Sequence, residues 1–129
     1  TYGDGLSNVN IKLLEKFHLK HDKIGTMTIV IPPGRYGAVQ TKGNTVIRFQ
    51  EKIKEMEGFI NGGFFVFNHK IFDFIKNNQS IFEVDVLPKL SSLKQLQAYK
   101  HNGFWQSMDS LSDKIYLEKL WNNQPFWKR

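Results

Sequence analysis

Thr26-Met27-Thr28-Ile29-Val30-Ile31-Pro32-Pro33-Gly34 is the stretch on which the fold turns. Its first six residues are β-branched or apolar, long enough for a buried strand. Two prolines and a glycine then stop it. Upstream, Val9, Leu13, Leu14 and Phe17 recur at helical spacing, and Ser7 or Asn8 can cap a helix running to about His21. A helix feeding a buried strand points to an α/β protein.

Downstream, Gly37 to Gln40 and Thr45 to Gln50 read as two short strands, with Lys42-Gly43-Asn44 as the turn signal between them. Glu51 to Gly58 is a charged loop, and Phe64 to Phe67 is an apolar strand entered through Gly62-Gly63. His69 to Asn77 suggests a short helix with Ile71, Phe72 and Ile75 inward. Phe82 to Leu93 reads as a helix that Pro88 limits or kinks. Gln95 to His101 is a strand, and Ser110 to Trp121 is a helix opened by a capping box of Ser110 and Asp113. The hairpin interrupts the alternation of strand and helix, so the expected fold is a single α/β domain over residues 1–129, with a mixed β-sheet flanked by helices. In such sheets ligands lie at the carboxyl ends of strands. Most phenylalanines between Phe59 and Phe82 are expected in the core. Trp121, Phe126 and Trp127 are expected to cover the sheet or pack on another subunit.

The chain of 129 residues is long enough to bury an ordinary core, and 40% hydrophobic content argues against disorder. There is no apolar run near 18 residues and no signal-peptide pattern at the start. Cysteine is absent, which removes disulfides and thiolate metal sites and fits a reducing, cytoplasmic setting. The charge of +6 comes mostly from lysine, with arginine only at positions 35, 48 and 129. Dispersed lysines make a solvated basic surface or a field for small anions. Scarce arginine counts against nucleic acid as a partner.

Several segments carry chemistry. Thr1-Tyr2-Gly3-Asp4-Gly5 sets a carboxylate between two glycines, as where a strand stops abruptly and presents a side chain at its tip. Gly103-Phe104-Trp105-Gln106-Ser107-Met108-Asp109 puts a second aspartate at a strand-to-helix corner. Asp4 and Asp109 could share one hard cation, since Mg²⁺ often takes only one or two carboxylates and completes its shell with water and phosphate. Alternatively, Asp109 only helps cap the helix that follows. Glu51-Lys52 after a strand is either an exposed ion pair or a sugar-hydroxyl and phosphate contact. Gly34-Arg35-Tyr36-Gly37 and Ile60-Asn61-Gly62-Gly63-Phe64-Phe65 set glycine beside polar or aromatic groups, as a ligand contact or a turn would need. His18, His21, His69 and His101 show no metal-ligand pattern and read as surface or structural residues.

Taken in order, these segments, with the closing Pro125-Phe126-Trp127-Lys128, resemble the sugar-phosphate nucleotidyltransferases across nearly the whole chain, and the cytidylyl branch most of all. The resemblance implies a partial Rossmann-like nucleotidyltransferase fold. It implies Mg²⁺ held by Asp4 and Asp109, Glu51 on sugar hydroxyls, and Lys52 on the 1-phosphate. Tyr36, Gly37, Asn61 and Gly62 match sugar-binding positions, and Trp105 matches an aromatic lining the sugar pocket. The implied reaction joins glucose 1-phosphate and CTP into CDP-glucose with loss of pyrophosphate, in a homo-oligomer. Two departures stand out. Ile53 follows Glu51-Lys52 where the family usually has proline, and no glycine-rich loop for a nucleotide triphosphate precedes Thr1. The expectation is therefore a C-terminal half whose N-terminal nucleotide-binding half is absent, inactive by itself. A sugar-phosphate-binding module without turnover, or a basic nucleic-acid-binding domain, are the competing readings.

Overall fold

The structure, a computed structural model, describes residues 1–32, 38–42, 45–50, 58–123 and 127, with the backbone alone for 38–42 and 46–50. Its centre is a three-stranded sheet. Strand β2 (Gly25–Val30) lies between β5 (Ile60–Phe67) and β6 (Leu96–His101). β2 runs antiparallel to β5 and parallel to β6, with Val30 opposite both Ile60 and His101. The sheet is mixed, as expected. A separate antiparallel hairpin pairs β3 (Ala38–Lys42) with β4 (Thr45–Gln50), and the turn signal at 43–44 lies outside the described residues.

Helix α1 (Ile11–His18) covers one face of the sheet. Its cap is Asn10, whose side chain accepts from the amide of Leu13. Ser7 does not cap it because its hydroxyl is tied elsewhere, and Asn8 does not cap it although its side-chain oxygen is buried without a hydrogen-bond partner among the described residues. The Ser7 hydroxyl donates to the carbonyl of Phe104 at 2.8 Å, and the Asn8 amide donates to the same carbonyl. Leu14 and His18 point inward, and Leu13, expected on the apolar face, is exposed. His18 and His21 both contact the fully buried Thr26 hydroxyl of β2, at 3.0 and 2.8 Å.

The opposite face packs on Ile71, Val86 and Leu90, with Phe67 and Phe82 against them; Phe65 stacks on Phe67, and Phe82 stands edge-on to both rings. The segment His69–Phe74 is a 3₁₀ helix rather than a longer α-helix. Three residues per turn bring Ile71 and Phe74 to the inner side and leave Phe72 and Ile75 exposed, against expectation. Phe59 is also exposed. Phe82 to Ser92 is helical in two parts. A wide turn at Phe82–Val86 leads into α2 (Leu87–Ser92), which carries Pro88 in its first turn. Proline has no amide to donate and fits that position.

Two short strands are absent from the sequence-based expectation, β1 (Gly5–Ser7) and β7 (Trp105–Ser107). They pair antiparallel and join the two ends of the chain. Asp4 therefore stands directly before a strand. Helix α3 (Leu111–Asn122) follows β7 and opens with the expected capping box. Among the described residues, no helix is long and apolar enough to cross a membrane.

Candidate active site

The β1–β7 pairing brings the two aspartates to one corner. Gly5 lies opposite Ser107, and one step further the amide of Met108 donates to the carbonyl of Asp4 at 2.9 Å. Asp4 is thus across from Met108, next to Asp109. Both carboxylates are exposed, and among the described residues neither has a hydrogen-bond or ion-pair partner.

Asp109 is not the cap of α3. The cap is Ser110, and the buried carboxylate of Asp113 organises the whole corner. Asp113 accepts from the amides of Ser110 and Asp109 at 3.0 and 3.3 Å, from the Ser110 hydroxyl at 2.7 Å, and from Gln106 Nε2 at 3.0 Å. With these donors directed at Asp113, the carboxylate of Asp109 is left for solvent or a ligand.

Asn61 and Gly62 begin β5 where β2 ends, so they sit at the carboxyl ends of the parallel strands β2 and β6. Asn61 is bound on two sides. Its Oδ1 accepts from the amide of Gly63 at 2.9 Å, and its Nδ2 donates to the Tyr2 hydroxyl at 3.0 Å. Gly62 is small for a packing reason. A Cβ there would stand 3.0 Å from Val30 Cγ1 and 3.2 Å from the carbonyl of Thr28. Its own carbonyl accepts from Trp105 Nε1 at 2.8 Å. Trp105 has no other donor, so a ligand would meet its ring and not its N–H. Trp105 lines a cleft of about 300 Å³ together with Ile31, Pro32, His101, Phe104 and Tyr116.

Tyr2 ties the N-terminal segment to this cluster. Its amide donates to the carbonyl of Gly63 at 3.0 Å, and its ring stands edge-on to Phe65. Its hydroxyl donates to the Glu83 carboxylate. Burial, and then the bond to Glu83, push the phenol up to about 12, so it stays protonated. The same bond holds the Glu83 carboxyl below its usual range.

Of the residues singled out in the sequence, Asp4, Asn61, Gly62, Trp105 and Asp109 come together around β1, β7 and the start of β5. Tyr36, Gly37, Glu51 and Lys52 lie outside the described residues. Tyr2, Glu83 and Gln106 were not singled out as organising residues. Tyr2 stands in the Tyr-Gly-Asp-Gly opening and could have been noticed. Glu83 is 81 positions away from Tyr2 and carries no local signal.

A pair of exposed carboxylates offers hard oxygen donors, which suits Mg²⁺ with water and phosphate completing the shell. Among the described residues no group of three or more histidines, cysteines or carboxylates is poised to hold a metal.

Residues 3–119 match the family described as Nucleotidyl transferase. The chain is 46% identical to the glucose-1-phosphate cytidylyltransferases of Salmonella typhimurium and Salmonella typhi over 121 residues, which is 94% of this chain and 47% of each relative. It thus spans about half the length of these relatives. The alignment with them does not support the C-terminal placement expected from the sequence. In three dimensions the chain is similar to HddC from Yersinia pseudotuberculosis, with a TM-score of 0.58 and 22% identity over 92% of this chain and 52% of that one. That likeness shows the fold.

Proposed function

The chain belongs to the nucleotidyl transferase family, and from that premise we propose that it serves a glucose-1-phosphate cytidylyltransferase, supplying metal ligands and sugar contacts. The observation that carries this reading is the backbone adjacency of Asp4 and Asp109 at the strand-pair corner, both exposed and, among the described residues, without a hydrogen-bond or ion-pair partner. The identity with two cytidylyltransferases over 94% of the chain supports the choice of reaction.

In this reading Asp4 and Asp109 hold Mg²⁺, which lowers the repulsion between two anionic substrates and neutralises charge developing on phosphate oxygens. The protein's own work is positioning, since the attacking oxygen of glucose 1-phosphate is already anionic and needs no general base. Asn61, with one amide hydrogen and one Oδ1 lone pair still free, can meet a sugar hydroxyl. The ring of Trp105 offers an apolar wall to the sugar. Glu51 takes further hydroxyls, and Lys52 holds the 1-phosphate as a point charge. Tyr36, Gly37 and Gly62 complete the sugar contacts. The net charge of +6 favours approach of both anions.

The test is formation of CDP-glucose and pyrophosphate from CTP and glucose 1-phosphate with Mg²⁺, measured on the complete product of the gene. Product is expected, and Lys52→Ala should weaken glucose 1-phosphate binding. A folded protein that forms no sugar nucleotide would overturn the reading. Turnover with another nucleotide triphosphate in preference to CTP would overturn the cytidylyl assignment.

A further inference from the structure

Glu83 lies on the wide turn Phe82–Val86, and it is exposed. An exposed carboxylate would ordinarily stay hydrated. Here it accepts the hydroxyl proton of Tyr2, and both residues line an open cleft with Gly3 and Asp4. The Tyr2 oxygen, having donated to Glu83, accepts from Asn61 Nδ2. Asn61 Oδ1 in turn accepts from the amide of Gly63. The amide of Asn61 has one orientation that satisfies both bonds, because a flip would set its NH₂ against the Gly63 N–H.

The same tyrosine fixes the backbone that carries Asp4. Its amide is bonded to the carbonyl of Gly63, and its ring lies on Gly63 so closely that a Cβ there would come within 2.8 Å of Tyr2 Cδ2. Two residues later the Asp4 carbonyl is bonded to Met108. Gly3, with nothing within 4 Å of its Cβ position, is the unsupported link between these two anchors. Release of the Tyr2 anchor would leave Asp4 held from one side only.

We propose that Glu83 is a positioning residue that acts through the Tyr2 hydroxyl to fix both the Asn61 amide and the placement of Asp4 beside Asp109. The proposal rests on the reading of Asp4 and Asp109 as a metal-binding pair and of Asn61 as a sugar contact. Partners that orient metal ligands typically cost about 10–100-fold in metal affinity when removed.

The experiment compares Glu83→Ala, Glu83→Gln and Tyr2→Phe in the complete gene product. It reads Mn²⁺ binding by electron paramagnetic resonance, the KM for glucose 1-phosphate, kcat, and the side-chain amide resonances of Asn61 by NMR. Glu83→Ala should weaken Mn²⁺ binding and raise the KM by about tenfold each, with displaced Asn61 resonances and a smaller change in kcat. Glu83→Gln keeps an oxygen that accepts the same bond and should stay near wild type. Tyr2→Phe keeps the ring packing and should match Glu83→Ala, which decides the matter if Glu83→Ala does not fold. Folded Glu83→Ala with wild-type Mn²⁺ affinity and KM would overturn the proposal. So would Glu83→Gln behaving like Glu83→Ala, because charge and not the bond would then be responsible. If wild type binds no Mn²⁺ and forms no CDP-glucose, the functional reading falls. Asn61 resonances unmoved by Glu83→Ala would overturn the positioning role as well. Displaced resonances would then uphold only the part of the proposal that concerns the Asn61 amide.

Discussion

Trp105 Nε1 donates to the carbonyl of Gly62 at 2.8 Å, and this bond joins the β1–β7 pair to the three-stranded sheet. Trp105→Phe keeps an aromatic ring but leaves a part-buried carbonyl without its donor. A loss of about 1–2 kcal/mol is expected. The urea midpoint should fall with an unchanged slope.

The corner at Asp109 depends on Asp113. Asp113→Asn sets an NH₂ group against donors that now converge on a carboxylate. It should cost about 2–3 kcal/mol, against about 1 kcal/mol for Ser110→Ala, which loses the cap and the hydroxyl bond to Asp113 but leaves the two amide donors and Gln106 on that carboxylate. Equilibrium unfolding of the two variants checks the order.

Asp4→Asn and Asp109→Asn should behave in the opposite sense. Both side chains are exposed and lack partners among the described residues, so stability should stay within about 0.5 kcal/mol of wild type. Turnover of the complete enzyme should fall at least about a hundredfold if they hold the cation. Paired melting curves and CDP-glucose assays separate the two effects.

Gly63 has φ +76, and its Cβ position is filled by the Tyr2 ring. Gly63→Ala should therefore cost about 2 kcal/mol or more. Gly3→Ala meets nothing and should change stability by less than about 0.5 kcal/mol. The contrast is read from denaturation midpoints.

Burial, followed by the nearby charge of His21, holds the His18 imidazole below its ordinary range. In the folded protein His18 resists protonation more than in the unfolded chain, so the unfolded state binds the extra proton. Stability should then be full above about pH 6.5, fall as the pH drops below it, and level off once the folded form also protonates. Urea midpoints at pH 7.5 and pH 5.5 should differ in wild type, and differ less in His18→Gln.

The central strand was legible because Thr26 to Val30 is β-branched or apolar throughout and is followed by proline, a signal that needs no tertiary context. The α3 cap was legible for the same reason, since Ser110 and Asp113 lie within one turn. Strands β1 and β7 were not. Three residues such as Gly5-Leu6-Ser7 have no period to read, and their pairing is set by a partner at the far end of the chain. The helix cap was misplaced because Ser7 had a stronger use on Phe104. The residue types at Asp4 and Asp109 marked them as candidate ligands, yet Glu83 became visible only through Tyr2, across 81 positions.

The β1–β7 pair has a kinetic meaning. Ser7 and Trp105 enclose a loop of roughly one hundred residues, and closing such a loop carries an entropic cost of about 4 kcal/mol. Contacts so distant in sequence form late, after local helices and hairpins. During synthesis the chain can fold its central sheet only once β6 has emerged, and the two aspartates meet later still. A cation held by Asp4 and Asp109, if they bind one, would therefore act on the last step of folding, holding β1 and β7 together.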